Sequence, residues 1–174
     1  MRRIRKTPTP TKSSSKDGEV EIIADRDAWV SKSKPTKNYG REKTLESDGE
    51  SVKIAYMRFD LSKVDVTKIK SAKLKFRVTN STKSAHKVKL VSDNDWSESE
   101  INYNNRPIPK KDTIARISRA SKGKYQEVEV KSEVSKAKKY ITFAIMTSES
   151  DGLDIGSREQ SKKEYRPTLI VKYK

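Results

Sequence analysis

Apolar and polar residues alternate in short segments along most of the chain after residue 19. In the clearest segment, Ala72, Leu74, Phe76 and Val78 alternate with basic residues. A period of two is typical of a β-strand with one buried face. Further segments of this kind lie at 20–30, 54–59, 87–91, 113–118, 125–130, 140–146 and 169–173. The pattern therefore predicts eight or more short strands.

Turn-forming residues separate these segments. The turn signals are Asn38-Tyr39-Gly40, Asp48-Gly49, Asn80-Ser81, Lys122-Gly123 and Asp151-Gly152. Only residues 132–139 have the character of a short helix. Many short strands with regular turns indicate an all-β fold, and we expect an antiparallel β-sandwich with one short helical turn.

The chain is strongly basic, and the excess charge is not confined to one end. It holds 40 Lys and Arg against 24 Asp and Glu, a net charge of +16. Residues 1–18 are rich in Pro, Thr, Ser and Lys and are predicted to be a flexible basic linker or tail, or alternatively a nucleic-acid-binding arm. Residues 19–174, the predicted module, keep 34 basic and 23 acidic residues, a net charge of +11. Such a surface favours the capture of polyanions.

Composition also excludes several classes of protein. The chain has no cysteine and one histidine, His86, so it forms no disulfide or thiolate metal site. No apolar run is long enough to span a membrane, and residues 1–18 contain no apolar segment of the signal-peptide type. The cysteine-free, Lys- and Glu-rich composition is also typical of heat-adapted proteins.

Several motifs occur together in a characteristic order. They are ADRDAWV (24–30), TKNYG (36–40), TLE (44–46), AYMRFDL (55–61), SAKL (71–74), DWSESEINYNNRP (95–107), IGSRE (155–159) and RPTLIV (166–171). In this order the chain resembles the DNRLRE domain, which overlaps with carbohydrate-binding module family 96. The resemblance covers about residues 20–174.

This resemblance implies a jelly-roll β-sandwich without catalytic activity. It also implies a secreted or cell-surface protein in which the module is covalently linked to a polysaccharide lyase or another surface domain. Carbohydrate-binding members are associated with alginate, a polyuronate. This chain is richer in lysine than the usual pattern, which favours an acidic glycan over a neutral one as its partner.

One candidate binding region is the loop that follows the first predicted strands. Arginine can hold a carboxylate through two parallel hydrogen bonds, and lysine acts as a point charge. This loop combines closely spaced cations with aromatic residues, and the same residues could instead form a solvated turn. The candidate ligands are Lys32, Lys34, Lys37, Arg41, Lys43, Tyr39 and the nearby Arg26, with Trp29 beside them as either a core or a sugar-stacking residue.

A second candidate region is a row of outward-facing cations on two successive strands. Lys73, Lys75 and Arg77 share one face of their strand, and Lys87 and Lys89 share one face of the next. If these strands are neighbours in one sheet, five cations lie on one face, at a spacing close to that of sugars in an extended chain. The alternative is that these residues only solvate an outer face and protect it from aggregation.

Other residues in the motifs have structural interpretations. Arg58, Arg106, Arg158 and Arg166 lie inside the motifs, and Arg106 and Arg158 are predicted to bind a buried carboxylate or loop carbonyls, with ligand contact as the alternative. Trp96 is predicted to close the end of the sandwich. His86 is predicted to lie on the surface.

The acidic residues suggest at most a structural metal ion. Calcium needs six to eight oxygen ligands, and the densest oxygen clusters contain Asp25 with Asp27 and Asp93 with Asp95. Asx turns explain the same residues without a metal. The expected cofactor set is therefore none required, with a structural calcium as an option.

A non-catalytic module that binds alginate or another polyuronate is therefore the expected function. A single histidine leaves little support for His-dependent catalysis, and no carboxylate pair stands out. Two alternatives are a structural or adhesion module without a defined glycan, and a nucleic-acid-binding module. The latter is disfavoured because the chain has few aromatic residues for base stacking.

Overall fold

A computed structural model describes residues 18–174, and eleven strands occur in this part of the chain. In chain order they are β1 (Glu19–Ile23), β2 (Arg26–Ser31), β3 (Thr44–Ser47), β4 (Lys53–Asp60), β5 (Ile69–Asn80), β6 (His86–Val91), β7 (Pro109–Ile117), β8 (Tyr125–Glu129), β9 (Tyr140–Met146), β10 (Leu153–Gly156) and β11 (Thr168–Tyr173). One α-helix, α1 (Lys131–Lys136), and two 3-10 turns, Val66–Lys68 and Lys163–Tyr165, complete the described elements. The predicted linker, apart from Gly18, lies outside the described residues.

The strands form two antiparallel sheets. The first sheet has the order β1-β11-β5-β10-β3, with β8 also paired to β5, and the second has the order β2-β4-β9-β6-β7. From β1 to β6 the chain changes sheet at every strand. This arrangement confirms the predicted β-sandwich of jelly-roll type with one short helix.

The main core lies between the two sheets because the inward positions of the strands are apolar. Leu74 and Phe76 on β5 are fully buried and pack in the same cluster as Met57 and Phe59 on β4. The residues that alternate with them on β5 face outward. The period-two pattern of the sequence therefore becomes one buried and one exposed face in the first sheet.

A second, smaller core covers part of the outer face of the second sheet. Tyr56 on β4 and Ala144 on β9 are fully buried there, beneath Trp96 and Ile101 of the β6–β7 connection. The prediction that Trp96 closes the end of the sandwich was therefore wrong, because the indole lies over the outer face of a sheet. Residues 92–107 fold back over this sheet because both of its faces are apolar in β2, β4 and β9.

Two other predictions need correction. The predicted segment 20–30 is not one strand, because the chain leaves the first sheet after Ile23 and enters the second at Arg26. The short helix begins at Lys131 and ends at Lys136, earlier than predicted. No helix in residues 18–174 has the length and apolar character needed to cross a membrane.

Candidate polyanion-binding surface

A cluster of cations and tyrosine rings lies on the outer face of the first sheet. The Arg77 guanidinium carbon lies 3.8 Å from the centre of the Tyr165 ring and 5.9 Å from that of Tyr125. Lys75 Nζ lies 4.7 Å from the Tyr125 ring centre, and Lys162 Nζ lies 5.2 Å from that of Tyr165. We call these five residues the Arg77 surface. Tyr125 is 37% exposed, so one aromatic ring is accessible beside a planar cation.

Strand pairing and one close backbone contact position these side chains. Tyr125 lies directly opposite Arg77 in the β5–β8 register. Tyr165 is carried by the connection between β10 and β11, which crosses above Gly156. A Cβ atom at Gly156 would lie 2.3 Å from the carbonyl oxygen of Tyr165, so any larger residue would push this connection outward. Glycine is required here for the close approach of two backbones.

An open groove of about 700 Å³ adjoins the Arg77 surface. It runs between β1 and the β10–β11 connection, and Lys75 belongs to both the groove and the cluster. Lys163 and Arg166 line one side, and Glu21 and Thr168 lie on the strands beneath. The groove therefore presents charges of both signs, with cations next to the tyrosine rings.

The predicted binding loop lies between β2 and β3, and its cations are exposed. Lys32, Lys34, Lys37, Arg41 and Lys43 all have solvent-accessible side chains. The end of the loop is bonded to the connection that carries Tyr165: the carbonyl oxygen of Lys43 accepts hydrogen bonds from Ser157 N at 3.0 Å and from Gln160 Nε2 at 2.6 Å. The predicted loop is thus hydrogen-bonded to the segment that carries part of the Arg77 surface. The spacing of these residues along the chain does not reveal this contact.

Tyr39 in this loop and Trp29 on β2 are both buried. Tyr39 is 7% exposed and stacks on Trp29, with ring centres 3.8 Å apart. Lys37 Nζ lies 4.8 Å from the Tyr39 ring centre, and Lys53 Nζ lies 5.2 Å from that of Trp29. The two rings cover one another, so Tyr39 forms a base beneath Lys37 rather than an open stacking surface. Arg26 is engaged as well, because its Nη1 donates to the carbonyl oxygen of Trp96 at 2.6 Å.

The two cation rows predicted to share one face lie on different sheets. Lys73, Lys75 and Arg77 are on β5 in the first sheet, whereas Lys87 and Lys89 are on β6 in the second. The expected face of five cations therefore does not exist, because the chain crosses the sandwich between these strands. The two rows point in opposite directions, away from the shared core.

Carboxylates neutralise part of the β5 row. Glu129 lies opposite Lys73 and Glu127 lies opposite Lys75 in the β5–β8 register. Lys73 Nζ lies 3.9 Å from Glu127 Oε2. Only Arg77 faces a tyrosine instead of an acid, so the unneutralised positive charge of this row is concentrated at the Arg77 surface.

The arginines in the family-like motifs make contacts within the protein, as predicted for Arg106 and Arg158. Arg58 binds both carboxylate oxygens of Asp25, at 3.0 and 2.7 Å, and its pKa is raised by this partner despite the opposing effect of burial. Arg158 Nη1 lies 3.0 and 2.9 Å from the two carboxylate oxygens of Glu98. Arg106 donates to the carbonyl oxygen of Tyr103 at 2.7 Å. Arg166 likewise donates to a loop carbonyl, that of Gln160, at 2.8 Å.

The predicted oxygen clusters make hydrogen bonds within the protein. Both oxygens of Asp25 accept from Arg58, and Asp93 Oδ1 accepts from Asp95 N at 2.8 Å in an Asx turn. Asp27 is 1% exposed, and its Oδ2 accepts from the backbone of Arg158 at 2.8 Å. No group of three or more carboxylate, histidine or cysteine side chains converges anywhere in residues 18–174. Asp25, Asp27 and Asp93 each accept hydrogen bonds from within the protein, as the Asx-turn alternative requires of Asp93.

His86 is buried, so its predicted surface position was wrong. Its Nε2–H donates to the carbonyl oxygen of Asp151 at 2.9 Å. In this tautomer Nδ1 carries no proton and accepts a hydrogen bond from Ser47 Oγ at 2.8 Å. The side chain is fully buried. Burial lowers its pKa below the usual 6.5, which keeps the ring neutral. His86 thus joins β6 to β3 and to the β9–β10 connection, and it has no access to a ligand.

Comparison with known proteins relates this arrangement to carbohydrate binding. The sequence profile of carbohydrate-binding module family 96 matches residues 18–173, nearly the whole of the chain. A gellan lyase from Bacillus sp. is 25% identical over 175 residues. The match covers 93% of this chain but only 7% of that relative, so the chain corresponds to a small part of a much longer protein.

Proposed function

This chain belongs to carbohydrate-binding module family 96, and we propose that it binds an acidic polysaccharide, most specifically alginate, through its lysine- and arginine-rich surface. The net charge of +11 in residues 19–174 attracts anionic polymers over a distance set by ionic strength. A polymer with one carboxylate per sugar offers many contacts to such a surface. A neutral glycan would gain nothing from these charges.

The geometry of Arg77 is the observation that carries the proposal. Its guanidinium carbon lies over the Tyr165 ring at 3.8 Å from the ring centre, a contact that restrains the guanidinium and leaves its N–H groups outside any ion pair with the described carboxylates. A preorganised guanidinium can donate two parallel hydrogen bonds to a uronate carboxylate. Tyr125 beside it offers an accessible ring to the apolar face of a sugar.

Flanking cations extend this contact to neighbouring sugars. Lys75 and Lys162 lie over the same two rings, and Lys43 lies at the end of the β2–β3 loop that is bonded to this segment. The remaining loop cations, Lys32, Lys34, Lys37 and Arg41, would meet the polymer beyond the tyrosines. Binding then proceeds by electrostatic capture followed by carboxylate-by-carboxylate contacts along the exposed surface.

The proposal includes the setting in which the module works. Family membership implies a binding module rather than a catalyst. The similarity to a short part of a gellan lyase supports a role in holding a covalently linked enzyme, or another surface domain, on its polysaccharide. A protein that acts on such polymers outside the cell would be secreted or held at the cell surface.

Affinity electrophoresis in gels that contain alginate, pectate, gellan or a neutral glucan tests the proposal. We expect retardation by the acidic polymers, weakened by added salt, and none by the glucan. Arg77→Ala should weaken alginate binding about tenfold or more, since one charge-assisted contact contributes about 1.5–3 kcal/mol. The triple variant Lys32→Glu, Lys34→Glu and Lys37→Glu should also weaken binding, because it reverses the charge of the loop.

A matched control separates contact from total charge. Lys70→Ala removes one exposed cation from the same strand, seven residues from Arg77, and should bind almost as the unmodified chain does. Equal weakening of alginate binding by Arg77→Ala and Lys70→Ala would show that only the total charge matters. That result would contradict a binding site at Arg77. Equal retardation of the protein by all four polymers would contradict selection for acidic glycans.

Two alternative functions give different outcomes in the same experiments. A structural or adhesion module would bind none of the polymers. A nucleic-acid-binding protein that uses residues 1–18 would lose DNA binding when these residues are deleted, whereas deletion should hardly affect alginate binding by the module.

A further inference from the structure

The outer face of the second sheet is divided into a covered half and a bare half. Over β2, β4 and β9 the face is apolar and is covered by residues 92–107. On β6, Val91 still belongs to this buried cluster, whereas the outward residues Lys87 and Lys89, with Arg116 and Thr113 opposite them on β7, do not. The bare half is therefore a polar strip at the edge of the sheet.

This strip concentrates positive charge without neutralising it. Lys87 lies directly opposite Arg116 in the β6–β7 register, and such a like-charge pair on one face destabilises a sheet. Lys89 Nζ donates to the backbone carbonyl oxygen of Lys111 at 3.0 Å, which holds the Lys89 ammonium against β7 next to a fourth, exposed cationic residue. None of these four side chains forms an ion pair with a carboxylate in residues 18–174. We call Lys87, Lys89, Lys111 and Arg116 the Lys87 surface.

The corresponding face of the first sheet shows the opposite arrangement. There, Lys73 and Lys75 lie opposite Glu129 and Glu127, so the cross-strand pairs are of opposite charge. An outer face that only needed solvation would be stabilised by such pairs. The like-charge pair on β6 and β7 has no structural benefit, and an anionic ligand would remove its energetic cost.

An arginine stacked on an aromatic ring lies beside the strip. The Arg106 guanidinium carbon is 3.7 Å from the Tyr103 ring centre, and Tyr103 packs against the cluster that contains Ala144. Ala144 is the register partner of Lys89, so the stacked pair belongs to the covered half of the face that adjoins the strip. The combination of lysines, a stacked arginine and a partly exposed tyrosine repeats the chemistry of the Arg77 surface.

We propose that the Lys87 surface is a second site for a carboxylated polysaccharide, on the face of the sandwich opposite the Arg77 surface. This inference rests on the proposed function, because it takes the same class of polymer. The two sites face away from each other across two sheets packed about 10 Å apart, so a short oligosaccharide can occupy only one of them. Each module then holds two chain segments, which increases avidity and crosslinks the polymer.

The stoichiometry of binding to a short oligosaccharide tests this inference. Isothermal titration of the full 174-residue chain with a hexameric oligouronate from alginate should give two binding sites. Lys87→Ala with Arg116→Ala should leave one site, and so should Lys75→Ala with Arg77→Ala. Lys70→Ala with Lys131→Ala, which removes two exposed cations elsewhere, should keep two sites. Combining the four site substitutions should abolish binding.

A second readout separates a binding role from a structural one. Because Lys87 and Arg116 repel each other, Arg116→Gln should raise the melting temperature of the free protein while it weakens binding at the Lys87 surface. A residue required for folding would lower the melting temperature instead, and this result would contradict the inference. The melting curves also show whether each variant is folded before it is titrated.

The outcomes distinguish the inference from the proposed function. Binding at one site that is unaffected by Lys87→Ala with Arg116→Ala overturns the second site and leaves the proposed function intact. Absence of binding to oligouronate and to polymeric alginate by the unmodified chain overturns both. Turbidity on mixing with polymeric alginate, lost when either surface is removed, would support crosslinking by two sites.

Discussion

The carboxyl group of Asp27 is buried at the edge of the second sheet and retains its proton at neutral pH. Its Oδ2 accepts from Arg158 N, but its Oδ1 has no hydrogen-bond partner. The pKa of Asp27 is raised to about 8, chiefly by burial and in smaller part by the charges of Glu98 and Glu159, against the opposing effect of Arg158. We predict that this single group makes the stability of the protein fall as the pH rises towards 8.

The sign and size of the effect follow from proton binding in the two states. The unfolded chain releases this proton near its ordinary pKa of 3.8, whereas the folded protein retains it until about pH 8. Folding therefore takes up a proton in this window, and the free energy of unfolding decreases by about 1.4 kcal/mol for each pH unit. Between pH 5 and pH 7 the loss from this group is about 3 kcal/mol.

Asp27→Asn removes the titration and keeps an oxygen to accept from Arg158 N. The free energy of unfolding of the variant, relative to the unmodified protein, should therefore rise by about 3 kcal/mol from pH 5 to pH 7. Urea unfolding at pH 5, 6 and 7, followed by the fluorescence of the buried Trp29 and Trp96, measures this difference.

Other titrating groups are the same in both proteins and cancel in the comparison. Burial raises the pKa of Asp154 to about 6. Burial lowers the pKa of His86, so the folded protein loses stability relative to the unfolded chain as the pH falls below 6.5. Asp112→Asn makes the same chemical change at an exposed position and should follow the unmodified protein. Stability curves of Asp27→Asn and the unmodified protein that stay parallel from pH 5 to pH 7 would show that Asp27 does not titrate in this range.

Two further substitutions test contacts that hold the sandwich and its binding surface. His86→Ala should lower the free energy of unfolding by about 2–4 kcal/mol, because it leaves a cavity and an unpaired Ser47 hydroxyl; an unchanged melting temperature would contradict this. Gly156→Ala should displace the connection that carries Tyr165, since the added Cβ would lie 2.3 Å from its carbonyl oxygen. This variant should therefore bind alginate more weakly and melt at a lower temperature. An unchanged affinity in electrophoresis would show that the position of this connection does not affect binding.

Strand prediction succeeded where alternation was long and failed where a strand is short. Residues 72–78 lie within β5, and the predicted segments 140–146 and 169–173 match β9 and most of β11. β3 and β10 were not predicted. They have four residues each, pair with one another across more than 100 positions, and carry glycine and charged residues that give no clear period. Their pairing is a property of the folded chain.

The candidate site was only partly predictable, for a related reason. Alternation indicated that Lys75 and Arg77 face outward, and both lie on the outer face of β5 between buried residues. Alternation did not indicate that Tyr125 and Tyr165 would lie on either side of Arg77, because these rings come from segments 48 and 88 positions away. The exposure of Tyr125 at 37% was likewise not readable from its neighbours in the chain.

The class of fold, the inward and outward positions of most strands, and the net positive charge of the module can all be read from the amino-acid sequence. These properties depend on local periodicity and composition, which every segment carries with it. Three features emerge only in the folded molecule: β5 and β6 belong to opposite sheets, His86 is buried, and some cations but not others face a carboxylate. Each of these depends on which distant strand lies alongside, and pairing partners are selected by the packing of the whole sandwich rather than by any single segment.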